Sequence, residues 1–198
     1  MGIQRIGDWT KAQIFLKFGP TAMKTAANLA LRREAENFRK EVVEGIKNQA
    51  PGGEKFTDLS AFTIATRRFK KFRGTKALIV RGDLRRSIKT HKAPGGYFVG
   101  IHRMVKHRTG APLVNIAAVH EFGAKITIRV TDKMRRYLRM IFRLAGLMTG
   151  AGGPSQLSGQ TMVVEIPPRP YLRPVAEKIK PGIAKRVVDA VTKGMMGI

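Results

Sequence analysis

Apolar residues at Ala27, Leu31, Ala35, Phe38, Val42 and Ile46 step by threes and fours, which is the spacing of one helix face. They predict a long helix from about Thr21 to Gln49, stopped by Pro51-Gly52-Gly53. A shorter helix is expected before it, capped by Asp8, running from Trp9 to about Phe18 and closed by Gly19 and Pro20. A third spans Ala61–Phe72, with Phe62, Phe69 and Phe72 as anchors. Ala77–Val80 reads as a short strand, Asp83 caps one helical turn through Ser87, and Tyr97–Ile101 reads as a strand entered through Pro94-Gly95-Gly96. Pro112 opens a helix that ends at Phe122, with Gly123 in the left-handed closing position. Lys125–Val130 alternates polar and apolar, the period of a half-buried strand. Asp132 caps a helix to about Leu147, with Met134, Tyr137, Leu138, Ile141 and Ala145 on one face. Residues 148–160 form a flexible Gly/Ser-rich loop, and Thr161–Ile166 is a strand. A final helix opens near Pro174 and is kinked at Pro181-Gly182. The expected fold is α+β: a small, mostly antiparallel sheet packed with a long N-terminal helix and a C-terminal helix, in a single domain over residues 1–198.

Charge changes this picture more than size does. The 198 residues hold 38 Lys and Arg against 13 Asp and Glu, a formal net charge of +25. Self-repulsion on that scale opposes a compact state, so a polyanion or an acidic protein surface is the expected partner. The window 67–108 contains fourteen Lys and Arg and a single acid, Asp83. Its densest part, Arg67, Arg68, Lys70, Lys71 and Arg73, is expected to keep its charged heads in water. Arg135, Arg139 and Arg143 recur every four residues and form a second cationic row. Both features suit nucleic-acid phosphates, and both equally suit an acidic protein ring. There is no cysteine, which excludes disulfides and thiolate metal sites. No apolar run reaches the ~20 residues of a membrane span, and the first residues lack a signal-peptide core.

Candidate chemistry is thin. His120-Glu121 suggests a metal or acid–base site, but a zinc helix needs two histidines four residues apart, and residue 124 is Ala124. The better reading gives His120 and Glu121 fixed hydrogen bonds at a helix end, Phe122 a place in the core and Gly123 the turn. Pro167-Pro168-Arg169-Pro170 has three locked φ angles in four residues and reads as a rigid connector. It would hold Arg169 out toward a carboxylate on a neighbour, with Tyr171 following. No phosphate-binding loop, carboxylate pair or nucleophile constellation emerges, so a non-enzymatic protein without cofactors or metals is expected.

Four segments, in order, resemble the tail-completion (virion morphogenesis) family of tailed bacteriophages. They are Leu59-Ser60 with Thr63 after Phe56, Leu78–Ile88, Ile116–Gly123 and Ile166–Arg173. The chain departs from the family pattern in having Phe56 for a tryptophan, Asn115-Ile116 for an aromatic and Tyr171 for a phenylalanine. The resemblance implies a structural subunit forming a ring, commonly a hexamer, in the neck or tail of a virion assembled in the host cytoplasm. Such a ring finishes the tail tube and joins head to tail around the DNA channel, beside connector and tail-tube proteins. It also implies interface or structural roles for His120–Gly123 and Pro167–Tyr171. The alternative reading, from charge alone, is a free-standing nucleic-acid-binding protein acting through phosphate contacts.

Overall fold

A computed structural model describes residues 9–147 and 161–196. Asp8 and the 148–160 stretch lie outside the described residues. The helices are α1 (Trp9–Asn48), α2 (Ala61–Phe69), α3 (Asp83–Ser87), α4 (Leu113–Phe122), α5 (Asp132–Leu144) and α6 (Arg173–Met196). The strands are β1 (Lys89–Ala93), β2 (Gly96–Gly100), β3 (Ala124–Arg129) and β4 (Thr161–Ile166). The fold is α+β as expected, but the strands make two separate two-stranded antiparallel sheets, β1-β2 and β3-β4.

Helices α1 and α6 run antiparallel along one another. Ala26 meets Gly194, Glu34 pairs with Arg186 at 2.7 Å, and Glu41 pairs with Lys178 at 3.3 Å. The expected break at Gly19-Pro20 is absent, because α1 continues through Pro20 as one 40-residue helix. At the other end the predicted stop holds. A 3-10 turn over Pro51–Gly53 brings Gly52, at φ +66°, against the start of α6. A Cβ on Gly52 would sit 2.6 Å from the Pro174 carbonyl oxygen, so any side chain would part the two helix ends.

The stripe on α1 enters the core where predicted, with Val42 and Ile46 fully buried among Leu84, Ile88, Ile101, Leu113, Ala117, Tyr171 and Val175. The strand expected at Ala77–Val80 does not form. The Gln49 amide both donates to the Ala77 carbonyl and accepts from its N–H, as a strand neighbour would, and Leu78 turns away at φ +58°. Strand β1 was not legible, since Lys-Thr-His-Lys-Ala has no apolar alternation. It forms because Pro94 and Gly95 (φ +76°) fold it back onto β2, pairing Ala93 with Gly96.

A satellite cluster lies between α2 and α5. Phe62 and Phe142 have ring centroids 5.3 Å apart, Phe69 and Tyr137 5.9 Å, and Ala65, Leu138 and Ile141 are buried. Two caps differ from expectation. Thr131, not Asp132, caps α5 by accepting from the Met134 N–H, and Asp83 lies inside the first turn of α3, after Gly82. Helix α2 ends at Phe69, earlier than Phe72, because Lys71 adopts φ +60°.

Candidate functional site

Three of the four motif segments converge on one clasp, while the other, Leu78–Ile88, sends Leu84 and Ile88 into the core. Ser60 begins α2 by accepting from the Thr63 N–H at 3.2 Å, which places the carbonyls of Thr57 and Asp58 just ahead of the helix. Arg169 arrives from the Pro-rich connector and donates to both carbonyls, Nε to Thr57 at 3.2 Å and Nη2 to Asp58 at 3.2 Å. Its own N–H donates to the His120 carbonyl at 2.7 Å. With 8% of its surface exposed, Arg169 is a pin within its own chain. The expectation that it projects toward a neighbour is therefore corrected, because its side chain is buried and donates to local carbonyls.

Glu121 is the other half of the clasp. Its Oε2 accepts from the N–H groups of Tyr171 (2.8 Å) and Leu172 (3.1 Å), and its Oε1 from that of Arg173 (2.9 Å). These donors stand at the start of α6, where a helix leaves N–H groups without partners and carries partial positive charge. A carboxylate fifty residues upstream thus caps the C-terminal helix. Tyr171 beneath it is 1% exposed, and burial, with the Glu121 charge second, pushes its phenol well above the ordinary range. Burial, aided by the charge of Arg169, holds the His120 imidazole below its ordinary value, and its Nδ1 has no hydrogen-bond partner.

Gly123 lets α4 reverse into β3. Its φ of +76° is as predicted, but its ψ of 172° lies in an extended region that is essentially glycine's own, not the left-handed helical one. A Cβ there would stand 3.0 Å from the Ile166 carbonyl oxygen and 3.1 Å from Pro168 Cδ. Pro167 and Pro168 are exposed and Pro170 half-buried, so the connector's stiffness aims the backbone around Arg169. Phe122 does not plug the core. It is 75% exposed, because Glu121 and not its neighbour takes the inward position.

Phe122 borders an apolar depression of about 510 Å³, with Phe38, Val114, Ala118, Leu172 and Phe98 among its walls. Phe98, which sequence reasoning placed only inside a strand, is 51% exposed. The two-residue period of β2 could have flagged it, since its neighbours Tyr97 and Val99 turn the other way.

The cationic residues divide. Arg68, Lys70, Lys71 and Arg73 are exposed as expected, but Arg67 is 8% exposed and donates to the carbonyls of Gly74 (2.9 Å) and Lys76 (2.8 Å). Its pKa is lowered by burial and then by nearby Arg169. It holds the 70–76 turn and cannot present its charge to a partner. On α5, Arg143 is exposed, while Arg135 and Arg139 are half-buried, with Arg135 3.3 Å from Asp132. His91 lies 5.4 Å from His102 and stacks on Phe98 at 6.3 Å between ring centroids. No group of three or more His, Asp or Glu capable of holding a metal occurs among the described residues. No described helix is long and apolar enough to cross a membrane.

A family model described as the phage virion morphogenesis family matches residues 12–195. No curated protein and no solved structure matches the chain significantly. Because the family match spans nearly the whole chain, the chain belongs to that family, which gives it a structural or assembly role in a phage virion.

Proposed function

We propose that this member of the phage virion morphogenesis family is a non-catalytic subunit of a neck or tail-completion ring, hexameric by resemblance. In this reading the ring finishes the tail tube and joins head to tail around the DNA channel. The observation that carries it is the apolar depression between Phe98 and Phe122. Phe122 is mostly and Phe98 half exposed beside a rigid clasp, and an apolar depression so placed suits a surface that a partner covers. A neighbouring copy covers it in a closed ring, through a heterologous contact that repeats by rotation. The groups that suggested chemistry favour the same view, for Glu121 accepts from backbone N–H groups and Arg169 donates to backbone carbonyls. Assembly takes place in the host cytoplasm, beside connector and tail-tube proteins.

The test is microscopy of particles made with and without this chain. Particles lacking it are expected to carry unfinished or unjoined tails, and labelled protein is expected at the neck or tail end. Finished, joined tails in its absence would overturn the reading. They would favour the alternative, a free-standing protein that binds nucleic acid through its charge.

A further inference from the structure

Three surface depressions adjoin one another around α3. The first, about 440 Å³, has Lys70, Arg81, Asp83, His107 and Arg108 in its walls. The second, about 380 Å³, shares Asp83, His107 and Arg108 with it and adds Lys89, Lys106 and Arg86. The third, about 530 Å³, shares Arg86 and Lys89 with the second and reaches α1 at Arg39 and Lys47. Shared wall residues place the three side by side as one furrowed face around α3. Its carboxylates are Asp83, 3.9 Å from Arg108, and Glu36, 2.8 Å from Arg39, and Glu44 on α1 pairs with Lys47 at 3.0 Å. Lys70, Lys89 and Lys106 form no ion pair among the described residues.

We propose that this furrow is a binding track for the phosphodiester backbone of double-stranded DNA. Lysines without ion-pair partners among the described residues, in the walls of adjoining depressions, suit a polyanion, and duplex DNA carries its charges close together along its backbone. Leu113 and Val105 give the second depression apolar walls beside these exposed cations, which helps to focus their field. The track assigns the DNA contact mainly to residues 70–108 around α3, not to Arg67 or the α5 row. Contacts of this kind position the duplex without reading bases. The proposal deepens the ring reading by naming the surface that meets DNA, but it does not depend on ring formation.

The experiment compares the wild type with two triple variants of equal net charge. One is Lys70→Gln/Lys89→Gln/Lys106→Gln in the furrow. The other is Lys180→Gln/Lys185→Gln/Lys193→Gln on α6, away from it. Binding to a 20-base-pair duplex of random sequence is measured against salt concentration. The furrow variant is expected to flatten the log–log salt slope by about 2 to 3, from ~0.9 per phosphate contact, and the α6 variant by less than about 1. Equal losses in both would overturn the proposal, since net charge alone would then explain binding. An unchanged slope in the furrow variant, with failure to enter particles, would also overturn it and assign the furrow to an acidic protein neighbour. Absence of the wild-type chain from particles would sink the ring reading alone and leave the salt-slope result standing.

Discussion

Glu121 illustrates how one side chain can decide whether two distant segments meet. Its carboxylate satisfies three N–H groups at the start of α6, and Glu121→Ala would leave these donors, one buried and two half-buried, without it. Loss of charge-assisted bonds of this kind costs about 3 kcal/mol, so urea unfolding should show a marked drop in midpoint. An unchanged midpoint would mean that the clasp contributes nothing to the fold. Gly123→Val tests the neighbouring position. A β-branched residue at φ +76°, ψ 172° is strained by about 1–3 kcal/mol, before its collision with the Ile166 carbonyl is counted. A retained melting temperature would contradict the turn. His120 adds a pH dependence. Its folded pKa lies below the ordinary value of about 6.5, so the unfolded chain binds the proton more readily. The contribution is therefore fully present above pH ~6.5 and is lost as pH falls below it. His120→Gln should be less sensitive than the wild type to acidification through that window. Identical pH–stability profiles would exclude His120 as the source.

Among the elements, legibility followed how local the cause was. The stripe on α1, the helix from Pro112 to Phe122 and the strand at 161–166 were read from periodicity and punctuation, and each forms where expected. The Ala77–Val80 strand failed for a nonlocal reason, since the Gln49 amide answers the Ala77 backbone from twenty-eight residues away. In the same way, the motif glutamate and arginine were found, but their partners on α6 and ahead of α2 are set by tertiary approach, which no spacing records. Pro20 does not break the helix, for the lost hydrogen bond and the crowding of the carbonyl four residues back are absorbed within one 40-residue helix. Arg67 was misread because its neighbours are solvated, and only its hydrogen bonds to Gly74 and Lys76 reveal that it braces a turn. Arg67→Gln should therefore destabilise the fold by about 2 kcal/mol. Changing Arg68, Lys70, Lys71 and Arg73 together to Gln should leave the melting temperature within a degree or two. The opposite ranking in thermal denaturation would restore Arg67 to the solvated patch.

At the scale of the molecule, two forces on assembly oppose one another. The Phe98–Phe122 depression favours association by removing apolar surface from water. The net charge resists it, since six copies at +25 would bring about +150 into one ring. Repulsion between exposed charges falls as the Debye length shrinks, from ~10 Å at 0.1 M salt to ~3 Å at 1 M, while apolar burial does not weaken with salt. Purified protein is therefore expected to be largely monomeric at low salt and to assemble as salt rises, the reverse of its DNA binding. Added duplex DNA should promote assembly at low salt by supplying the missing counter-charge. Phe98→Ser/Phe122→Ser should stay monomeric under all these conditions and keep the wild-type melting temperature within a few degrees, because Phe122 is mostly exposed and Phe98 half exposed. Sedimentation velocity across a salt series would measure each of these states. Assembly that weakens with salt would show that opposite charges and not the apolar depression hold the subunits together, and assembly by the double variant would place the interface elsewhere.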